Sequence, residues 1–82
     1  MYQTISEHIA VAGVYDKSFF VPKKFLWHRK SYLIERVTFT ADTKDGGVFL
    51  RMYSVTSQGN AYRIQFNRTT ERWTLMEVWC EG

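Results

Sequence analysis

The residues with the most capacity for chemistry in this chain are a run of bases. Lys23, Lys24, Arg29, Lys30 and Arg36 fall within fourteen positions, offset only by Glu35. Phe25, Trp27 and Tyr32 are interleaved with them. Basic side chains follow a phosphate backbone, and exposed aromatic rings stack on bases for about 1–3 kcal/mol each, so the pattern suits single-stranded nucleic acid. Arg51, Arg63 and Arg68 form a second basic set. If Arg51 and Arg63 share an outer face, they extend the patch or pair with Glu77 across the sheet. The candidate nucleic-acid contacts are therefore Lys23, Lys24, Trp27, Arg29, Lys30, Arg36, Arg51 and Arg63. The competing reading puts Phe25, Trp27 and Tyr32 in the core and leaves the lysines as a soluble hairpin tip. That reading is favoured for the aromatics, because a chain of 82 residues can hardly leave them outside.

The same surface also suits a protein partner. Arginine, tyrosine and tryptophan dominate interface hot spots, and Tyr53, Trp79 and the Phe19-Phe20 pair are the apolar residues expected to stand partly exposed. An uncovered strand edge beside Pro22 or at Trp79 would accept a strand from a partner. Against this, each of these residues has a plainer use as core or as a plug at a barrel end.

Other chemistries lack their residues. His8, His28 and Cys80 are isolated from one another, and no C-x-x-C, H-x-x-H or H-E-x-x-H spacing presents two metal ligands from one element. Cys80 sits between Trp79 and Glu81, without the basic setting that activates a thiol. The acids Asp16, Asp42, Asp45, Glu71 and Glu81 fall in turns, in the tail or beside bases, where solvated side chains are expected and a paired acid and base are not. Gly46-Gly47 lies between two strand-like runs with no helix behind it to aim at a phosphate. No metal, cofactor or catalytic residue is expected, and the chain reads as a non-catalytic binding module, with nucleic acid slightly ahead of a protein partner because of the basic hairpin and a protein-interaction or assembly domain as the alternative.

The elements that must carry these residues are strands. No segment holds the i, i+3, i+4, i+7 apolar spacing of an amphipathic helix over three turns, whereas strand-forming runs recur between glycine, asparagine and charged clusters. His8–Tyr15 is a first strand with Ile9 and Val11 on one face, bending at Gly13 and followed by a turn at Asp16-Lys17-Ser18. Phe19–Pro22 suits an edge or connecting segment, since proline cannot donate to a ladder. A second strand covers Lys23–Trp27, and His28–Ser31 is the loop of a hairpin flanked by Trp27 and Tyr32. From Ser31 to Ala41 the apolar phase moves from even (Tyr32, Ile34) to odd (Val37, Phe39, Ala41). A bulge near Glu35-Arg36 would return both sets to one face and curl the sheet.

Asp42–Gly47 reads as a loop. Val48–Val55 follows as a strand apolar on both sides, so that its inward face is left open. Ala61–Asn67 alternates cleanly, with Tyr62, Ile64 and Phe66 inward, and Arg72–Trp79 closes the chain with Trp73 and Leu75 on one face. The whole is one all-β domain over positions 1–82, a small, strongly bent antiparallel meander of five to six strands. It is expected to be partly or fully closed into a barrel of SH3-like size.

Composition sets the limits. One core is all a chain of this length supports. Aromatics make up 17% of it, and each buried ring removes about 150–250 Å² from water, so a few anchor the core without disulfides. Trp27, Tyr32, Phe39, Tyr62, Phe66 and Trp73 are the expected anchors. The lone cysteine makes no internal disulfide, and no run approaches the roughly 18 apolar residues of a membrane span or the pattern of a signal peptide. A cytoplasmic location is expected. The net charge of +3 suits nucleic acid or an acidic protein surface without choosing between them.

Taken in order, Pro22, Phe25, Trp27, Tyr32, Ile34, Val37, Tyr53, Val55, Tyr62-Arg63-Ile64 and Arg72-Trp73-Thr74-Leu75 carry a resemblance over about positions 9 to 79. The series resembles an uncharacterised small bacterial β domain encoded beside Y-family, mutagenesis-linked DNA polymerase relatives. There a Phe-x-Trp hairpin is followed by a Tyr-x-Ile/Val strand and a late Trp-x-Leu strand. The chain departs from that pattern at Thr38-Phe39, where a second tryptophan is expected, and in its long Asp42–Gly47 segment. The resemblance implies DNA-repair company and brings no catalytic residues with it.

Overall fold

A computed structural model describes residues 1–80, which form seven strands: β1 (Tyr2–Asp16), β2 (Phe19–Trp27), β3 (Lys30–Leu33), β4 (Arg36–Asp45), β5 (Val48–Ser57), β6 (Asn60–Asn67) and β7 (Arg72–Trp79). All pairings are antiparallel, and the strands lie in the order β3-β2-β1-β7-β6-β5-β4. The expected all-β architecture is present, curled into a half-barrel. It is not a single meander. Two meanders, β1–β2–β3 and β4–β5–β6–β7, are joined by the pairing of β1 with β7.

The strand count exceeds the expected five to six because the Ser31–Ala41 run divides. The chain leaves β3 at one edge of the sheet and enters β4 at the opposite edge within two residues. At this crossover the Ile34 amide donates to the Lys23 carbonyl (2.8 Å) and the Glu35 amide donates to the Thr56 carbonyl (2.8 Å). Ile34-Glu35 thus ties β2 to β5 and holds the sheet curled. The bulge lies further on, between Val37 and Phe39, with the Thr38 hydroxyl donating to the Ser54 carbonyl (3.1 Å). It keeps Val37 inward and turns Phe39 out, 61% exposed, so Phe39 is not the core anchor that its phase suggested.

Turn chemistry explains the tight connections. Residues 17–18, 28–29, 46–47 and 58–59 are two-residue turns in which both positions have positive φ, the arrangement whose twist matches that of paired strands. Gly46 and Gly47 (φ 57° and 89°) adopt it freely, which lets Asp42–Asp45 pair with β5 rather than form a loop. Ser6 (φ 58°) marks another irregularity, where the register of β1 on β7 shifts between Thr4 and Glu7. Gln3 and Glu7, opposite the buried Val78 and Leu75, are polar, so no apolar alternation announces Tyr2–Glu7 and the first strand begins six residues before its expected start.

Gly13 is required for packing. A Cβ there would meet the Val21 carbonyl oxygen and lie 2.7 Å from the Phe20 ring, at the point where the β1–β2 register shifts. The inward faces converge on Phe25, Tyr53, Val55, Tyr62, Ile64, Leu75 and Val78, with Ile5, Ile9, Val11, Trp27, Tyr32, Ile34, Val37, Phe66 and Trp73 packed around them. On β5 the odd positions are the inward ones: Tyr53, Val55 and Ser57 are buried, and Arg51 points the same way.

Candidate functional site

The bases and aromatics of the first hairpin separate into different environments. Lys23, Lys24, Arg29, Lys30 and Arg36 are all exposed, and among the described residues none makes an ion pair. Arg29 sits in the 28–29 turn (φ 64°), and the Lys30 ammonium lies 5.2 Å from the centre of the Tyr32 ring. The rings between them turn inward. Phe25 is 1% exposed and stacks on Tyr32 (4.9 Å between centroids, 7° between planes). Trp27 is half-buried, stacks on His28 (4.4 Å) and donates its indole N–H to Glu7 Oε1 (3.1 Å). The same Glu7 oxygen meets His28 Nε2 at 2.9 Å. The hydrogen bond from Trp27 first, and that to His28 second, hold the Glu7 carboxyl below the ordinary carboxylate range.

Arg51 and Arg63 do not share a face. Arg63 pairs in register with Ser54, one step out of phase with the inward row that contains Arg51. On the outer side Arg63 Nη1 reaches Glu77 Oε2 at 3.4 Å, one of the two alternatives the sequence left open for the pair of arginines. Arg51 points inward, its side chain 18% exposed, and makes a two-pronged bond to Asp42: Nε to Oδ1 at 2.6 Å and Nη2 to Oδ2 at 3.1 Å. This bond is the main reason the Asp42 carboxyl is held low and the Arg51 guanidinium is held charged, and Arg68 adds a smaller attraction for Asp42. Asp42 is therefore a strand residue in an ion pair rather than a loop acid, although its side chain stays exposed to solvent as expected. Glu81, another acid of the sequence reading, lies outside the described residues.

An opening lies where the half-barrel fails to close. Among the described residues, β3 covers β2 only over Lys24–Trp27, so Phe19–Pro22 have β1 on one side and no strand on the other, and β4 pairs only with β5. These two unpaired edges face each other across a hollow of about 450 Å³ lined by Phe19, Phe20, Val21, Pro22, Val37 and Tyr53, with Asp42 and Arg51 also on its wall. We refer to this opening as the seam. Phe19 stands 66% exposed on its lip, with the Arg51 guanidinium 6.0 Å from its ring centre.

A second hollow of about 420 Å³ opens at the adjoining end of the barrel and shares Phe20, Arg51 and Tyr53 with the first. Phe20 divides the two. Its ring packs against Tyr15 (5.3 Å) and Trp73 (5.6 Å), and its carbonyl accepts the Tyr53 hydroxyl (3.2 Å). Burial pushes the Tyr53 phenol above its usual range. Trp73 also meets Tyr53 (5.5 Å) and Phe66 (4.7 Å), so the barrel end is plugged by aromatic contact.

The edge beside Pro22 is thus open, while the one suggested at Trp79 is not. β7 lies inside the sheet, with Trp79 paired to Tyr2 on one side and to Ala61 on the other. Sequence reasoning located one wall of the seam. It missed the other, β4, because a strand's pairing partners are set by topology and leave no local signature. Comparison with protein-family models, with curated proteins and with solved structures finds no match to this chain.

Proposed function

We propose that this is a non-catalytic protein-recognition domain that takes up an extended segment of its partner as an added strand along the seam. One observation carries the reading: the free edge of β2 at Phe19–Pro22 faces the free edge of β4 across an apolar hollow. An unpaired edge offers backbone donors and acceptors to an incoming strand, and a hollow beside it takes every second side chain of that strand. On β2 the Pro22 nitrogen has no hydrogen to give and the Phe20 carbonyl already accepts the Tyr53 hydroxyl, so β4 supplies most of the backbone hydrogen bonds and β2 adds to them. The exposed ring of Phe19 and the half-buried Val21 give the incoming chain apolar surface to cover. If the family resemblance holds, the partner belongs to a DNA-repair setting.

Selection from a displayed library of random nine-residue peptides tests this reading. The expected binders are proline-free and alternate β-branched or aromatic residues with polar ones. Failure to enrich any peptide, or enrichment of proline-rich ones, counts against strand addition.

A second reading, single-stranded nucleic acid, has its own observation: Lys23, Lys24, Arg29, Lys30 and Arg36 are exposed without an ion-pair partner among the described residues. Its stacking surface is weaker, since Phe25 is buried and Trp27 is held to Glu7. Titration with labelled single-stranded DNA and RNA at about 50 mM salt measures it. Binding lost on changing Lys23, Lys24, Arg29 and Lys30 to glutamate supports it, and absent or unchanged binding removes it.

A further inference from the structure

We propose that the segment taken up by the seam is acidic at one end, with its aspartate or glutamate residues lying over the Ile34-Glu35 crossover. This rests on the strand-addition reading and adds the partner's chemistry and polarity to it. The seam runs from the crossover, where β3 ends and β4 begins, to the 17–18 and 46–47 turns, where β2 begins and β4 ends. Its two ends differ in charge.

At the turn end, four bases (Lys17, Lys44, Arg51 and Arg68) balance four acids (Asp16, Asp42, Asp45 and Glu71), and Arg51 is bonded to Asp42. At the crossover end stand Lys23, Lys24 and Arg36, with Glu35 the one acid among them. Lys23 carries the carbonyl that receives the Ile34 amide, Lys24 pairs with Leu33, and Arg36 opens β4 opposite Thr56. Topology therefore brings these three cations to one place from two distant strand edges. All three are exposed, and none makes an ion pair among the described residues.

A strand laid between β2 and β4 would run from neutral surroundings into a positive potential. Opposite charge at that end steers the encounter and fixes the register and direction of the added strand. About four residues at roughly 3.3 Å each cover the free edge of β2 at Phe19–Pro22, which leaves the next two or three to meet the cations. An acidic cluster directly beside a short apolar alternating stretch is thus the partner signature that the seam selects.

The test uses the full chain and three fluorescent peptides: EEDVTVTVT, its amide twin QQNVTVTVT, and the proline-interrupted EEDVTPTVT. Anisotropy at about 50 mM salt is expected to show EEDVTVTVT binding at least about tenfold tighter than its amide twin, with the advantage shrinking severalfold by about 300 mM salt. The triple variant Lys23→Glu, Lys24→Glu, Arg36→Glu is expected to abolish the preference while keeping its circular dichroism spectrum. If that variant loses its folded spectrum, Lys24→Gln and Arg36→Gln taken singly are expected to reduce the preference about threefold each. Equal affinity for the acidic peptide and its amide twin overturns the charge assignment and leaves strand addition standing. Binding of neither, or equal binding of the proline-interrupted peptide, overturns strand addition itself. Displacement of the acidic peptide by single-stranded DNA at equal or lower concentration overturns the choice of a protein partner.

Discussion

The Arg51–Asp42 pair joins the two chain segments that form one wall of the seam, and its geometry has a consequence for pH. Because the folded-state Asp42 carboxyl is held below its unfolded value, the pair contributes stability above the ordinary carboxylate pKa, near 4, and loses it as pH falls through the lowered value. Wild-type protein is therefore expected to lose thermal stability more steeply between about pH 4 and pH 2 than Asp42→Asn does, as followed by circular dichroism. Equal slopes would show that the pair adds nothing in solution. Core positions carry larger effects. Ile64 and Leu75 are fully buried neighbours in register, and truncating either to alanine is expected to cost about 2–5 kcal/mol in urea unfolding. Gly13→Ala adds a single methyl group yet is expected to cost about 2–3 kcal/mol, because its neighbours on β2 are a backbone carbonyl and the Phe20 ring that plugs the barrel end. Some of these residue environments were readable beforehand. Tyr62, Ile64 and Phe66 alternate without interruption, and all three face inward. The Arg51–Asp42 pair was not readable, since Asp42 sits in a run of turn-forming residues whose strand character comes only from pairing with β5.

At the scale of elements, short positive-φ turns decide where strands begin and end. His28 and Arg29 occupy such a turn (φ 51° and 64°) although neither residue favours it. The double change His28→Asn, Arg29→Gly is therefore expected to relieve backbone strain of about 1–2 kcal/mol, partly offset by loss of the His28 contact to Glu7. A rise in the thermal midpoint of a few degrees checks the sign, and a fall would mean that the Glu7–Trp27–His28 contacts outweigh the strain. Bulges govern what sequence phase can reveal. The extra residues Lys23, Thr38 and Met76 each displace the alternation of their strand by one residue. A phase change can be seen in a sequence, as it was between Ile34 and Val37. Whether it marks a bulge, a crossover or both depends on which strands lie alongside.

The whole molecule is a sheet whose two edges are consecutive in the chain. Ile34-Glu35 ties the edges together at one end, and they part toward the other. All-β character, small size and curling follow from the sequence because they depend on local propensity and on the scarcity of core material. The joining of two meanders through β1 and β7 does not, since it depends on which distant strands bury one another. The seam exists because β3 is four residues long and β4 is ten, so the two strands cannot cover both edges along their full length. Its occupation by a partner strand is the central claim, and hydrogen–deuterium exchange measured with and without saturating EEDVTVTVT tests it most directly. The account predicts slowed exchange, by about tenfold or more, in the segments spanning residues 19–21 and 37–43, with β6 and β7 unchanged. Unchanged exchange in both segments, or protection confined to the 28–29 turn and the outer face, would contradict it.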